Sequence, residues 1–216
     1  MSKEIRILIV DDHFIVRHGL RTILADHCPS ATFGEASSAH SALELAWREK
    51  WDVVLLDVSM PGRGGLEVLK DLRKSFPKLP VLVVSMHPEE QFALRVLKLG
   101  ACGYVRKDSA GHELTKAVDA ALRGSRYITP SIAEQLAVNL ERDKEGPTHE
   151  SLSDREYQVL CMLCVGKTVK EVGGELSLSV KTISTYRSRI LEKLKLENNA
   201  QLMRYAFRHG LIDVDG

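Results

Sequence analysis

Residues 53–67 read VVLLDVSMPGRGGLE, and this stretch decides the architecture of the N-terminal half. Four apolar residues, Val53–Leu56, run without a polar break straight into Asp57. So short an unbroken apolar run suits a strand buried on both faces, as in a parallel sheet. Leu66, Leu69 and Leu72 then follow at helical spacing. The unit is a strand that delivers a carboxylate at its carboxyl end and crosses over through a helix.

The same unit recurs on either side. Short apolar or β-branched runs at Ile5–Val10, Thr32–Ala36, Val81–Ser85 and Gly103–Arg106 alternate with helical stretches. One such stretch carries Ala42, Leu45 and Ala46; the last, Ala110–Arg123, repeats Leu114, Ala117, Val118, Ala121 and Leu122. Five strands alternating with five helices predict an α/β fold, a five-stranded parallel sheet covered on both faces. Gly124–Ser125 closes this block. A helix is expected from Pro130 to about Leu140, and ERDKEGPTHE (141–150) reads as a charged, solvated linker. The expected division is therefore 1–125, a linker helix and charged linker over 126–150, and a second domain over 151–216.

The second domain is all helix. Ser153-Asp-Arg-Glu156 and Thr168-Val-Lys-Glu171 are capping boxes, the first with Leu152 and Tyr157 placed as a hydrophobic staple. Ser179 caps a third helix reaching about Leu194, and Asn198 a fourth ending at Gly210. Only Ser177–Leu178 separates the middle pair, which predicts a helix-turn-helix.

Totals exclude several classes. With 216 residues, 44% of them apolar, the chain affords two cores. Apolar runs such as Val81–Val84 are far too short to cross a bilayer, and MSKEIRILIV reaches Asp11 and Asp12 without a signal-peptide cleavage site. Four cysteines do not make a disulfide scaffold, so a cytoplasmic protein is expected. Net charge is only +1, yet residues 167–208 carry 9 Lys/Arg against 4 Asp/Glu, a local excess that suits nucleic acid.

In parallel α/β sheets chemistry gathers at the carboxyl ends of strands. Those ends here carry Asp11 and Asp12, Asp57, Ser85 and, after the fifth strand, Lys107. A lone Asp after a strand is usually a helix cap. Three carboxylates converging on one edge repel unless a cation joins them, and oxygen ligands of this kind suit Mg²⁺. Lys107 and Ser85 would then hold the oxygens of a phosphoryl group carried on Asp57.

LIVDDH, VVLLDVSMPGRGGLE, VLVVSMH and LGACGYVRKD resemble the signature segments of the receiver domain of two-component response regulators, over residues 5–123 or so. The resemblance implies a flavodoxin-like sheet and Asp57 as phosphoacceptor, with Asp11, Asp12 and the Ser59 carbonyl binding Mg²⁺. It further implies that Ser85 is the switch hydroxyl, Lys107 the phosphate-binding lysine and Tyr104 the aromatic that turns inward. Catalysis would be limited to self-phosphorylation from a phosphodonor and autodephosphorylation.

Drawn at 100° per residue, the helix from Ser179 puts Val180, Ile183, Ile190, Leu191 and Leu194 on one apolar arc, with Arg187 among them. Lys181, Ser184, Thr185 and Ser188 form a slim polar stripe suited to a major groove. Thr182, Tyr186, Arg189 and Lys193 flank it as phosphate contacts, joined by Lys170 on the preceding helix. LSDREYQVL, residues 170–176 and LSVKTISTYRSRILEKL resemble the LuxR-type helix-turn-helix, so the whole chain is similar to the NarL/FixJ family. That implies phosphorylation-controlled transcription regulation, a cognate histidine kinase, double-stranded DNA and a phosphorylation-dependent homodimer as partners. Leu202, Tyr205, Ala206 and Phe207 are the candidate dimer surface. Where the family commonly has Lys, His and Asn, this chain has Ser184, Tyr186 and Arg189. Gly173–Gly174 sits unexplained in the supporting helix.

Other signals carry less. Cys161 and Cys164 share an apolar helix face and read as core. Gly62-Arg-Gly-Gly65 lacks the Lys-Ser/Thr of a P-loop and reads as a loop beside Asp57. His13 is expected at the rim of the site. An aspartyl-phosphate hydrolase would need an acid two residues after its nucleophile, where this chain has Ser59. A protein-binding adaptor is the remaining alternative; steep salt dependence of DNA binding separates it.

Overall fold

The computed structural model describes residues 5–60, 64–142, 149–209 and 211–212, which form two compact units, Met1–Ile132 and Ala133–Gly216. The loop reading of Gly62-Arg-Gly-Gly65, most of the charged linker and the helix end at Gly210 lie wholly or partly outside the described residues.

In the first unit, strands β1 (Arg6–Val10), β2 (Thr32–Ala36), β3 (Val53–Leu56), β4 (Val81–Ser85) and β5 (Gly103–Arg106) alternate with helices α1 (Phe14–His27), α2 (Ala39–Arg48), α3 (Gly65–Ser75), α4 (Glu89–Lys98) and α5 (Ala110–Leu122). All pairings are parallel, in the order β2-β1-β3-β4-β5. The three central strands are buried almost end to end, as unbroken apolar runs require, whereas β2 at the edge is mostly half-buried. Ile7, Ile9, Leu55, Leu82 and Val84 pack with Leu114, Ala117, Val118 and Ala121 of α5 into one core.

Register does the positioning. Val10 pairs with Leu56, and Leu56 with Val83, so β1 and β3 end level and Asp11 and Asp57 leave the sheet side by side. The Asp57 N–H donates to Val10 O at 2.8 Å, which fixes that exit. Ser85 pairs with Arg106, and Lys107 N–H donates back to Ser85 O at 2.9 Å. Four strand ends thus meet on one edge.

Helix α6 (Pro130–Arg142) runs slightly beyond the end expected from sequence. The second unit continues through a 3₁₀ turn (His149–Ser151), α7 (Asp154–Cys164), α8 (Val169–Glu175), α9 (Val180–Leu194) and α10 (Asn199–Arg208). Both capping boxes form as read, and Ser179 and Asn198 cap the last two helices through Thr182 N–H and Gln201 N–H. Leu152 and Tyr157 are both buried, as a staple requires. Cys161 and Cys164 are buried too, and burial pushes the Cys164 thiol up to about 12.

The α8–α9 turn explains half of the glycine pair. Leu178 N–H donates to Gly173 O at 2.9 Å, and a Cβ on Gly173 would lie 2.8 Å from Leu178 O. Only glycine admits that approach. Gly174 faces open space, and nothing in the structure explains it.

Candidate functional site

Asp57 is buried at the end of β3. Its Oδ1 accepts the Ser59 N–H at 2.9 Å, and its Oδ2 accepts from Lys107 Nζ at 2.8 Å. The same ammonium lies 2.6 Å from Asp11 Oδ2, so one lysine bridges the ends of β1 and β3. Asp11, itself buried, takes the His13 N–H on Oδ1 at 2.8 Å. Burial, aided by the Asp11 charge, holds the Asp57 carboxyl above its ordinary range despite Lys107 and the Ser59 N–H. Burial works to lower the Lys107 ammonium, but Asp57 and Asp11 outweigh it and keep it above its ordinary value. The edge is a charge cluster that its own cation only partly satisfies.

Ligand atoms of Asp11, Asp12, His13 and Asp57 all lie within 4.8 Å of one another. Asp12 Oδ1 is buried without a hydrogen bond, and Asp11 Oδ2 has none beyond its ion pair with Lys107. Three carboxylates gathered at one edge with a single ammonium among them are costly unless a further cation joins them. The set therefore fits a divalent metal site. His13 is exposed at the rim, as expected, with Nδ1 3.1 Å from Asp12 Oδ1.

Ser85 and Tyr104 sit beside this cluster and touch each other. Ser85 is fully buried, and its Oγ accepts His87 N–H at 3.2 Å. Tyr104 lies inward, with its hydroxyl donating to His87 O at 2.6 Å. Burial chiefly raises the Tyr104 phenol, which the Ser85 hydroxyl opposes by hydrogen bonding to it. The 85–87 turn is thus clasped from both sides.

In the second unit, α9 exposes Lys181, Ser184, Thr185, Ser188 and Arg189, while Thr182 and Tyr186 are half-buried along the flank. The three hydroxyls of the stripe donate to carbonyls four residues back, Ser184 to Val180 O (2.9 Å), Thr185 to Lys181 O (3.0 Å) and Ser188 to Ser184 O (3.1 Å). Their lone pairs remain outward. Lys170 is exposed on α8.

Two expectations for this unit need correction, and two cations gain partners. Lys193 is exposed, and its Nζ also donates to buried Glu156 Oε2 at 2.6 Å, so its charge has a partner within the unit. Burial works to raise Glu156, but Lys193 and Ser153 outweigh it and hold the carboxyl below its ordinary range. Val180 leaves the apolar arc and is 52% exposed, because the first residue of α9 overhangs the core. Arg187, left without a role by the wheel, is half-buried; its Nε donates to Asn199 Oδ1 at 2.6 Å and ties α9 to α10. Leu202 and Ala206 are core residues, and the Tyr205 hydroxyl accepts His149 N–H at 2.9 Å. The exposed apolar residues of α10 are Met203 and Phe207.

Sequence reasoning missed Val180 beside Ser184, one turn apart on the outward face. Exposure of a β-branched residue is the signal, and only the helix start reveals it.

Comparison with known proteins covers both units. Residues 7–119 match the response regulator receiver domain, and residues 150–206 match the luxR family of bacterial regulatory proteins. The chain is 40% identical to the response regulator GacA of Pseudomonas aeruginosa over 210 residues, 97% of this chain and 98% of that one. It is 37% identical to the response regulator UvrY of Escherichia coli over 212 residues, 98% and 97% of the two chains. Among solved structures it is similar to RcsB of Salmonella enterica serovar Typhimurium bound to promoter rprA with the phosphomimetic BeF3⁻. That match has a TM-score of 0.61 and 29% identity, covering 94% of this chain and 98% of the other.

Proposed function

Because the chain belongs to the NarL/FixJ family of two-component response regulators, a receiver joined to a LuxR-type DNA-binding domain, we propose that Asp57 is its phosphoacceptor and α9 its DNA-reading helix. The protein is a phosphorylation-controlled transcription regulator with a histidine kinase and DNA as partners. The observation that carries the site assignment is Lys107, whose ammonium bridges Asp11 and Asp57.

The chemistry follows from charge. A carboxylate oxygen of Asp57 attacks phosphorus while the bond to the donor breaks, and the group then carries up to two negative charges spread over three oxygens where Lys107 now sees a carboxylate. Lys107 is already in place to neutralise them. Asp11, Asp12 and Asp57, with the Ser59 carbonyl, would hold Mg²⁺, the ion favoured by an all-oxygen donor set. When bound it supplies charge neutralisation for the carboxylates and polarisation of phosphoryl oxygens. Ser85 offers a hydroxyl donor at the end of β4. Movement of Ser85 towards the phosphoryl group would release its hold on the 85–87 turn and on Tyr104. Turnover is confined to self-phosphorylation from a phosphodonor and slow loss of the phosphoryl group.

On DNA, the slim stripe Lys181, Ser184, Thr185 and Ser188 faces base edges, and Val180 adds an apolar contact suited to a thymine methyl. Lys170, Thr182, Tyr186 and Arg189 contact phosphates. The working form is a cytoplasmic homodimer reading two half-sites, with the domains divided near 125 and 150. Met203 and Phe207 replace Leu202 and Ala206 as candidates for its contact.

A gel-shift on pooled genomic fragments tests the reading, with and without acetyl phosphate and Mg²⁺, against Asp57→Ala. Phosphodonor-enhanced binding that Asp57→Ala loses is expected. Equal binding in all lanes would discard phosphorylation control and keep DNA binding, and no binding at all would favour the adaptor.

A further inference from the structure

The segment after α5 does not leave the first unit directly. Tyr127 N–H donates to Cys102 O at 2.8 Å, and Tyr127 pairs with Gly103 in a parallel bridge along the outer edge of β5. Gly103 permits this, since a Cβ there would lie 2.8 Å from Tyr127 O. Two residues later Thr129 caps α6: its Oγ1 accepts Ile132 N–H at 3.2 Å, with Pro130 in the first helical position.

A threonine hydroxyl has one proton to give. Thr129 gives it to Glu89 Oε1, which leaves its lone pairs turned to the helix start. Glu89 is the first residue of α4 and only 8% exposed, and Ile132 is fully buried. Burial chiefly raises the phenols of Tyr104 and Tyr127, and the Glu89 charge adds to both, so this carboxylate stands close to the switch aromatic and to the returning segment. Between Ser85 and Glu89 lie only Met86, His87 and Pro88, and His87 is the residue clasped by Ser85 and Tyr104.

We propose that Glu89 is a positioning residue which, acting through the Thr129 hydroxyl, transmits movement of the Ser85–His87–Tyr104 turn to the first turn of α6. The proposal rests on the reading of Asp57 as phosphoacceptor and goes beyond it by naming the contact through which the linker helix senses the switch. A shift of the β4–α4 loop carries Glu89 with it. Thr129 must then follow or lose its partner, and either event alters the cap of α6.

The full-length chain tests this with Thr129→Val, which removes donor and cap, and Thr129→Ser, which restores both. Three quantities are compared with wild type: acyl-phosphate accumulation from acetyl phosphate, stimulation of DNA binding by phosphodonor, and the beryllofluoride-induced change in amide exchange over residues 131–137. Thr129→Val is expected to accept phosphoryl within about twofold of the wild-type rate yet lose about fivefold or more of the stimulation, the size of a modest allosteric coupling. The exchange response should vanish with it, and Thr129→Ser should recover both. A purely structural cap would move stability without separating phosphorylation from its output. Wild-type stimulation and exchange response in Thr129→Val overturn the proposal. A wild-type chain with neither response overturns the underlying reading along with it.

Discussion

In the receiver, the groups that do chemistry come from four strand ends spread between residues 11 and 107, and nearly all are buried and paired with one another. In the second unit, the residues proposed to face DNA come mostly from one helix and are largely exposed, and the Ser184, Thr185 and Ser188 hydroxyls bond to carbonyls of that helix. The difference is one of tolerance. Removing Lys107 would strand two buried carboxylates, whereas removing Ser184 strands nothing. The strand-end cluster is therefore bound to its fold, while the exposed face of α9 can change residue by residue without stranding a buried group.

The comparison breaks first, and most visibly, at Leu202. Charging this buried position should cost several kcal/mol, so Leu202→Asp should abolish the cooperative urea transition of the second unit, whereas Phe207→Ser should stay within about 0.5 kcal/mol. Native-like melting of Leu202→Asp would return that residue to the surface.

A smaller effect probes the receiver charge cluster. Because the folded Asp57 carboxyl is held above its ordinary range, its ionised form is disfavoured on folding. Stability falls as pH rises from the ordinary carboxylate range through that raised value. Asp57→Asn should therefore melt higher than wild type at neutral pH. Mg²⁺ should raise the melting temperature of wild type more than that of Asp57→Asn. Glu156 has the opposite sign: its lowered carboxyl contributes stability above the ordinary carboxylate range and loses it as pH falls through the folded value. Acidification should thus loosen the second unit through Glu156 while relieving the receiver at Asp57, and two melting transitions shifting the same way would contradict this.

The glycine pair separates fold from face within one helix. Gly174→Ala should stabilise by roughly 1 kcal/mol through helix propensity, and Gly173→Ala should destabilise by about that much or more. Equal effects would remove the close approach of Leu178 as the reason for Gly173. Smallest in stability is Lys181→Ala, expected to leave the melt unchanged and reduce the salt slope of DNA binding by about 0.9. An unchanged slope would take Lys181 off the DNA.

The strands are legible because short apolar or β-branched runs alternate with longer stretches of helical spacing; Thr32–Ala36 and Val81–Ser85 match to the residue, and only Ile5 lies outside its strand. The capping boxes were legible because donor and acceptor are three residues apart. Reach decides the rest. Lys193 meets Glu156 across 37 positions, and Thr129 meets Glu89 across 40, between residue types that carry no pattern. A helical wheel gives α10 two apolar edges and cannot say that Leu202 and Ala206 face inward while Met203 and Phe207 face out. The carboxylates and Lys107 escape this limit because a parallel sheet brings all its carboxyl ends to one edge.

The contact between Gly173 and Leu178 bears on the timing of recognition. Backbone lies directly against backbone there, so the angle between α8 and α9 has little freedom to lose when DNA arrives. If α9 reads DNA as proposed, its ordering entropy is settled when the unit folds, not when it docks. Encounter should then proceed as a rigid-body collision steered by charge, with residence time left to the base contacts. Widening that turn would slow arrival before it shortened the stay.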